Sequence, residues 1–195
     1  QIRKMAKKEI IKKPLIKKKR KWYKILASQE FNRPEIGETL SSDPNLILKK
    51  TTQVYLNSLT NDPKNQNIKL IFSVNKIEND FAYTELVRYE LVPAFIRRVV
   101  KRDRNKIDES FVAETKDDLK VRIKPIVMTK SEAKGIIVTK LRKEIRENLI
   151  RNIKLLDCSE LFMNTINRSL QNSLRDSIKK IYPIANCEIR ILEKL

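Results

Sequence analysis

The sequence IKLIFSVNKIENDFAYTELVRYE, residues 68–90, carries the clearest structural pattern in the chain. In its first half an apolar residue occupies every second position, the period of a strand with one buried face: Ile68, Leu70, Phe72 and Val74. Asn79-Asp80 predicts a tight turn, and Phe81 to Glu90 continues the alternation. We therefore expect two adjacent antiparallel strands here.

A third strand is predicted upstream, at Thr51 to Asn57. Its β-branched and aromatic residues place Val54 and Leu56 on one face. Turn-forming residues at Asn61-Asp62-Pro63 separate it from the strand that follows. Short strands joined by tight turns indicate an antiparallel meander, which suits a curled sheet or a small barrel.

After Pro93 the hydrophobic period changes to that of a helix. The apolar positions fall on one helical face, and Pro93 is tolerated in the first turn: Val92, Phe95, Ile96, Val99 and Val100. The opposite arc is basic, with Asp103 as its single acid: Arg97, Arg98, Lys101, Arg102 and Arg104. Because arginine can hold two phosphate oxygens at once, this arc predicts a surface that contacts RNA phosphates.

The C-terminal half alternates strands with helices. Strands are predicted between residues 111 and 128, and Thr129 with Glu132 matches a capping box opening a helix through about Leu156. That helix mixes cations with acids on its outer face, which leaves a solvated face and RNA contact both open. A further helix from Ser159 to Tyr182, with a polar candidate break at residues 167–173, precedes a final strand at residues 189–192. The predicted class is α+β, a curled antiparallel sheet or small barrel of about six strands flanked by three helices.

Positive charge is concentrated in the first 24 residues. This segment contains twelve Lys or Arg against one acid, Glu9, and so holds +11 of the chain's net charge of +19. Like charges repel, and the sparse apolar residues cannot offset the entropy of ordering the segment alone. We expect residues 1–24 to form an extended basic arm that binds RNA, and residues 25–195 to form one globular domain. A solvated or targeting tail is the alternative.

Trp22 and Tyr23 end the arm. Trp22 can stack on an exposed base beside phosphate-binding lysines, or it can anchor the arm to the domain. Residues 30–44 contain Pro34, Gly37 and Pro44 among small polar residues and are predicted to be an irregular surface loop.

Composition argues against several classes of function. The chain has no histidine, which removes the commonest residue of acid–base catalysis, and its two glycines leave no glycine-rich phosphate loop. Cys158 and Cys187 are too few for a metal knuckle and are expected to be buried, reduced thiols. No apolar run approaches the about 20 residues that span a bilayer, so a cytoplasmic protein without a membrane partner is expected.

The order of motifs resembles the S-three-A-e (S-one-e) family of small-subunit ribosomal proteins shared by archaea and eukaryotes, at a length typical of archaea. The match begins with the basic arm that runs into Trp22-Tyr23, and the basic helix precedes Ile107-Asp108. The matching motifs, in chain order, are Trp22-Tyr23, Phe31-Asn32, Ile36 to Thr39, Val54 to Asp62, Lys69-Leu70, Ile107-Asp108, Thr115-Lys116-Asp117, Ile181-Tyr182-Pro183 and Ile189-Arg190. The chain departs from the family at Asp118, where glycine is usual, and at residues 131–139, where the family is richer in Arg, Ser and Gln.

This resemblance implies a curled antiparallel sheet with flanking helices, seated on the platform of the small subunit near the messenger exit and the 3′ end of the rRNA. It implies neighbouring platform proteins as partners and no catalysis; contact with mRNA near the exit is a further expectation. We expect no cofactor, no metal and no homo-oligomer. The residues predicted to bind RNA are Lys12, Lys13, Lys17, Lys18, Lys19, Arg20, Lys21, Trp22, Arg97, Arg98, Lys101, Arg102 and Arg104.

Two other functions compete with this interpretation. A DNA-coating or chromatin protein would share the excess of positive charge. A metal-dependent nuclease would use Asp117 or Asp118 with Glu132 and Lys134, a spacing that superficially matches a water-activating metal site.

Overall fold

The computed structural model describes residues 19–195, which form one sheet of nine strands together with five α-helices. The strands are β1 Lys21–Leu26, β2 Glu35–Ser41, β3 Thr51–Tyr55, β4 Ile68–Glu78, β5 Phe81–Leu91, β6 Lys106–Asp108, β7 Phe111–Glu114, β8 Lys120–Thr129 and β9 Ile184–Lys194. The helices are α1 Leu56–Thr60, α2 Pro93–Val99, α3 Gly135–Ile153, α4 Cys158–Ile166 and α5 Ser169–Lys179. The α+β class is confirmed, whereas about six strands and three helices were too few.

The hairpin predicted at residues 68–90 is β4 and β5, which pair antiparallel along their whole length. Asn79 and Asp80 form its turn with φ of 47° and 66°. Positive φ at both central positions is typical of the two-residue turn whose twist matches that of the paired strands. The pairing shifts register twice, and such bulges increase the local bend and twist of the hairpin.

β5 has β4 along one edge and two different strands along the other. β1 runs parallel to the start of β5, from Lys24 opposite Phe81, while β9 runs antiparallel to its end, from Glu193 opposite Arg88. β2 lies outside β1, β8 lies outside β9, and β6 and β7 share the outer edge of β8. The sheet therefore branches at β5.

The branched sheet is open. Its outermost strands are β2, β3, β6 and β7, and none of these pairs with another of them in the described chain. The prediction of a small barrel is therefore wrong. A barrel closes when the two outermost strands pair, whereas here the second edge of β5 is divided between β1 and β9, which lead to separate branches. The pairing of β1 with β5 is parallel, so the sheet is also not wholly antiparallel.

One face of the sheet carries the main core. Residues opposite one another form an apolar row across six strands: Val54, Leu70, Tyr89, Leu192, Ile123 and Phe111. α3 packs onto this core through buried residues four apart: Leu141, Ile145, Leu149 and Ile153. α4 and α5 contribute Phe162 and Leu174 to the same cluster. The predicted inward positions of α3 from Leu141 to Ile153 are thereby confirmed.

The other face of the sheet carries charge in the neighbouring row. Glu193 lies between Arg88 and Arg122 on adjacent strands and pairs with each at an N–O distance of 3.5 Å. Arg88 also pairs with Glu90 at 3.0 Å. The acids thus neutralise the cations of this face within the sheet itself.

The first 50 residues contain two strands that the sequence pattern did not reveal. Residues 30–44, predicted as a loop, include β2, and β1 includes Lys21 and Trp22, so the boundary placed after residue 24 falls inside a strand. β2 alternates poorly because it is an edge strand in which Ile36 is only partly buried and Leu40 is exposed. The remaining arm residues, 1–18, lie outside the described residues.

Helix boundaries also differ from the prediction. The capping box at Thr129 and Glu132 is wrong, because Thr129 is a buried residue of β8 and α3 begins at Gly135, after Lys134. The helix predicted from Ser159 divides into α4 and α5 at Asn167 and Arg168, within the predicted polar break. Arg168 there adopts a left-handed conformation, with φ of 64°.

Asp118, where the family usually has glycine, also adopts a left-handed conformation. Its φ is 58°, and its N–H donates to the carbonyl oxygen of Thr115 at 3.1 Å. Aspartate tolerates this region better than most residues. A tight turn before β8 therefore forms without glycine.

Two kinds of buried polar group stand out. Cys158 and Cys187 are free, buried thiols as predicted, and burial raises the pKa of Cys187 to about 12. Glu188 is the one buried charged residue in the described chain, and its ion pair with Arg168 leaves Oε2 without a hydrogen bond. Burial raises the pKa of Glu188, although Arg168 acts in the opposite direction.

The core packing predicts that Leu149→Ala lowers the free energy of unfolding by about 2–5 kcal/mol, because it leaves a cavity beneath α3. Leu155→Ala removes the same atoms from a residue that is 72% exposed and should change stability little. Urea unfolding followed by circular dichroism compares the two variants. Equal losses would contradict the assignment of α3 to the core.

The raised pKa of Glu188 predicts a pH-dependent stability. At pH values just above the ordinary glutamate pKa of about 4.3, Glu188 binds a proton when the chain folds. The stability that this group contributes is therefore greatest below that pH and falls as the pH rises. The free energy of unfolding of the wild type should therefore fall relative to Glu188→Gln between weakly acidic and neutral pH. Denaturation across that range measures the difference, with the exposed Glu160→Gln as control. A constant difference would contradict the prediction.

Candidate nucleic-acid interface

The cations predicted at residues 97–104 follow directly from the end of β5. α2 ends at Val99, and Val100 has an extended backbone with ψ of 118°. Lys101, Arg102 and Arg104 therefore lie in a loop, and the prediction that all five cations share one helical arc is wrong. We call residues 97–104 the basic segment.

The apolar side of α2 is only partly covered. Phe95 and Ile96 pack against the main core, whereas Val100 is exposed. No residue of α2 is fully buried. The short helix thus lies on the rim of the core and leaves the basic segment at the surface.

The basic segment carries charge that the folded chain does not neutralise. None of its five cations forms an ion pair with a residue in the range 19–195. Its own acid, Asp103, adopts a left-handed turn conformation with φ of 60°. Five cations with one nearby carboxylate create a local positive potential that favours a polyanion.

The outer face of α3 shows the opposite arrangement. Arg142 and Arg146 both pair with Glu109, at 3.7 and 3.1 Å, and the Arg146 guanidinium lies over the Phe111 ring. Lys143 pairs with Glu147 one turn along the helix. Several cations of this face are therefore neutralised internally, which favours the solvated-face interpretation at those positions.

Asn105 fixes the end of the basic segment to the sheet. Its backbone N–H donates to Thr129 Oγ1 at 2.9 Å, and its carbonyl oxygen accepts from the Thr129 N–H at 3.1 Å. Its side-chain Oδ1 accepts from the N–H of Ala133. These three bonds join the basic segment to residues 129–134, which include the exposed Lys130 and Lys134. Sequence periodicity gave no signal for either lysine, because both lie in irregular backbone.

A surface cavity opens beside α2. Its volume is about 290 Å³. The residues that line it come from the position before β4, from the start of β9, from α2 and from the basic segment: Asn67, Phe95, Arg98, Val99, Lys101, Arg104 and Asn186. Arg98 Nη2 donates to Asn67 Oδ1 at 2.9 Å, and the Arg98 guanidinium carbon lies 5.8 Å from the centre of the Phe95 ring. Sequence reasoning missed Asn67 and Asn186, which are distant in the chain and meet only through the sheet.

The predicted arm residues divide at the start of the described chain. Lys12, Lys13, Lys17 and Lys18 lie outside the described residues, while Lys19, Arg20 and Lys21 are exposed. Trp22 is 62% exposed, whereas Tyr23 is 5% exposed and Ile25 is buried. Tyr23 and Ile25 thus attach β1 to a small second core that also contains Ile47, Val74 and Ala82, and Trp22 does not anchor it.

The described part of the arm, Lys19 to Trp22, does not come together with the basic segment. β1 pairs with the start of β5, and α2 follows the end of β5, which is eleven residues long. At about 3.3 Å per residue, the two positions are roughly 30 Å apart along the strand. Arg97 and Arg98 also diverge, since Arg97 lines a different surface cavity, with Arg190.

The residues of the nuclease alternative make separate structural contacts. Asp117 Oδ2 accepts from the N–H of Cys158 at 3.0 Å, and the Glu132 carbonyl oxygen accepts from the Tyr182 hydroxyl at 3.0 Å. Within residues 19–195, no three His, Cys, Asp or Glu side chains come close enough to hold a metal ion. In the same range, no helix combines the length and the hydropathy needed to cross a bilayer.

Comparison with known proteins decides the family. The model of the ribosomal S3Ae family matches residues 6–195. This chain belongs to the ribosomal S3Ae family. The resemblance inferred from the motif order is therefore confirmed, and the match extends over the sheet, the helices and the basic segment.

Similar proteins named small ribosomal subunit protein eS1 occur in several archaea. The S3Ae chain is 34% identical to that of Methanothrix thermoacetophila over 178 residues, which cover 91% of this chain and 84% of the relative. It is 31% identical to the protein of Halorubrum lacusprofundi, covering 90% of this chain and 82% of the relative. The protein of Methanothermobacter thermautotrophicus is 29% identical, with coverage of 91% and 92%.

The hydrogen bond accepted by Asn105 Oδ1 predicts how two substitutions at this position change stability. Asn105→Ala removes the acceptor of the Ala133 N–H and should lower the free energy of unfolding by about 1–3 kcal/mol. Asn105→Asp keeps an acceptor oxygen at that position and should retain most of the stability. Thermal and urea unfolding measure both variants. An equal loss in both would show that the Oδ1 contact is unimportant.

Proposed function

We propose that this S3Ae protein is a structural component of the small ribosomal subunit and binds its rRNA through two separate basic regions. Family membership and the name shared by the archaeal relatives support the ribosomal role. The observation that carries the binding mode is the basic segment, where five exposed or partly exposed cations have no acidic partner in the described chain.

The basic segment and the arm would act mainly by neutralising phosphates. Each Lys or Arg that pairs with a phosphate releases a condensed counterion, so binding gains entropy and becomes sensitive to salt. The cations of the first region are Arg97, Arg98, Lys101, Arg102 and Arg104. Those of the second are Lys12, Lys13, Lys17, Lys18, Lys19, Arg20 and Lys21, and Trp22 adds an exposed ring that can stack on a base.

The position in the subunit is a finer part of the proposal. The family resemblance supports a site on the platform, near the messenger exit and the 3′ end of the rRNA, with other platform proteins as neighbours. Contact with mRNA near the exit belongs to the same proposal. The protein would then act in the cytoplasm as part of the ribosome, without catalysis and without assembling with copies of itself.

Family membership also weighs against the two competing functions. A DNA-coating protein would share the excess charge, but the matched family and the relatives are ribosomal. A nuclease would need its carboxylates gathered around a metal, whereas Asp117 accepts from the Cys158 N–H and residues 19–195 contain no group of three possible metal ligands. The ribosomal function explains both the charge and the family.

The proposal predicts how the protein leaves the subunit as salt rises. Small subunits from cells that express tagged protein are sedimented through sucrose at increasing KCl. Wild type should sediment with the subunit at physiological salt, and Arg97→Gln/Arg102→Gln should be released at lower salt because about two phosphate contacts are lost.

The control removes the same charge elsewhere. Lys76 and Lys143 are already paired with Glu78 and Glu147, so Lys76→Gln/Lys143→Gln should behave as wild type. Wild-type protein that sediments apart from the subunit at physiological salt would overturn the proposed function. Equal release of both double variants would overturn the role of the basic segment.

A further inference from the structure

We propose that the cavity beside α2 accepts the base of one unpaired RNA nucleotide, so that the basic segment reads a local RNA feature as well as phosphate charge. This inference rests on the proposed function and adds a binding site to it. The site comprises Arg98 as a stacking platform, Asn67 and Asn186 at the base edge, and Lys101 and Arg104 at the adjoining phosphates.

Arg98 is held in a defined orientation. Its guanidinium is fixed on one side by the Phe95 ring, 5.8 Å from the guanidinium carbon to the ring centre. It is fixed at one end by the 2.9 Å hydrogen bond to Asn67. Arg98 nevertheless remains exposed, so the guanidinium keeps both accessible surface and donors. A planar, oriented guanidinium is a surface on which unstacked RNA bases pack.

The amides of the cavity supply hydrogen-bonding groups at the edge of that platform. Asn67 uses its Oδ1 for Arg98, which leaves its two Nδ2 hydrogens as donors. Asn186, from β9, brings both a carbonyl acceptor and an NH₂ donor to the same cavity. A cavity built only for phosphate would need donors alone, so the acceptor of Asn186 favours a base edge.

The size of the cavity fits this occupant. Its volume of about 290 Å³ is many times the roughly 15 Å³ that a single water molecule requires, so a group much larger than water can enter. The lining is also partly apolar, through Phe95 and Val99, which suits the faces of a base better than a fully hydrated phosphate.

Lys101 and Arg104 place positive charge at the mouth where the RNA backbone would pass. Both line the cavity, and neither forms an ion pair with a described residue. Asn105 anchors the adjacent backbone to β8, so the loop presents these cations from a fixed position. Paired bases in an A-form helix cannot enter a cavity of this kind, and the nucleotide must therefore be bulged or looped out.

The test compares three RNA hairpins that have the same stem. The first has one bulged nucleotide, the second is fully paired, and the third has an abasic residue at the bulge. Fluorescence anisotropy with the full chain should give about tenfold tighter binding of the first than of the other two, the effect of one stacked base. The arm contributes equally to all three affinities, so it cancels in their ratio.

Three variants assign the preference to the cavity. Arg98→Lys keeps the charge but removes the planar platform, and Asn186→Ala removes the edge contact. Each should bring the ratio of affinities close to one while the paired hairpin still binds. Lys140→Ala, an exposed cation on α3, should leave the ratio unchanged. Circular dichroism melting verifies that Asn186→Ala is folded, and the exposed Arg98→Lys gives an independent result.

Equal binding of all three hairpins by wild type would overturn the nucleotide site but leave the phosphate-binding function intact. A preference for the bulge that survives both cavity variants, or that the abasic hairpin shares, would also overturn the site. Failure of wild type to bind any hairpin at low salt would instead overturn the RNA-binding function on which the site rests.

Discussion

The division of one edge of β5 between β1 and β9 is the constraint on which the rest of the structure depends. β4 occupies the whole of the other edge, so β5 is paired along both sides at its start, residues 81–83, and near its end, residues 88–90. Its buried residues, including Tyr89 and Leu91, join the strands of both halves in one core. Because β1 enters at its start and α2 leaves from its end, the same strand also sets where each basic region emerges.

Many cations of the described chain pair with acids of the folded chain, whereas those of the basic segment do not. Glu193 pairs with two arginines on the charged face of the sheet, and Glu109 pairs with two arginines of α3. These ion pairs are only partly buried, and they reduce repulsion in a chain with a net charge of +19. The basic segment lacks such acids, and RNA phosphates would provide the missing neutralisation.

Sequence periodicity predicted the helices and strands that bury one face. It failed for elements whose position depends on pairing with residues distant in the sequence. The β4–β5 hairpin and the buried positions of α3 were predictable because their apolar residues repeat at the strand or helix period. β2 was missed because an edge strand with a partly buried Ile36 has weak alternation. Thr129 was misread as a helix cap because nothing local reveals its bonds to Asn105. Asn67 and Asn186 line the same cavity although they are far apart in the sequence, so no local sequence pattern could predict it. The ribosomal role was predicted from the family resemblance alone.

If both basic regions bind RNA as proposed, their separation along β5 would make the protein a bivalent ligand for folded RNA. Once one region is bound, the other meets its target at a high effective concentration, which can raise the overall affinity by about 10²–10⁴ without any new contact. That gain vanishes when the two RNA segments are wrongly spaced. β5 is paired with β4 along its whole length, so it would hold the basic segment and Lys19 to Lys21 at a fixed spacing and favour RNA whose folded segments match that spacing.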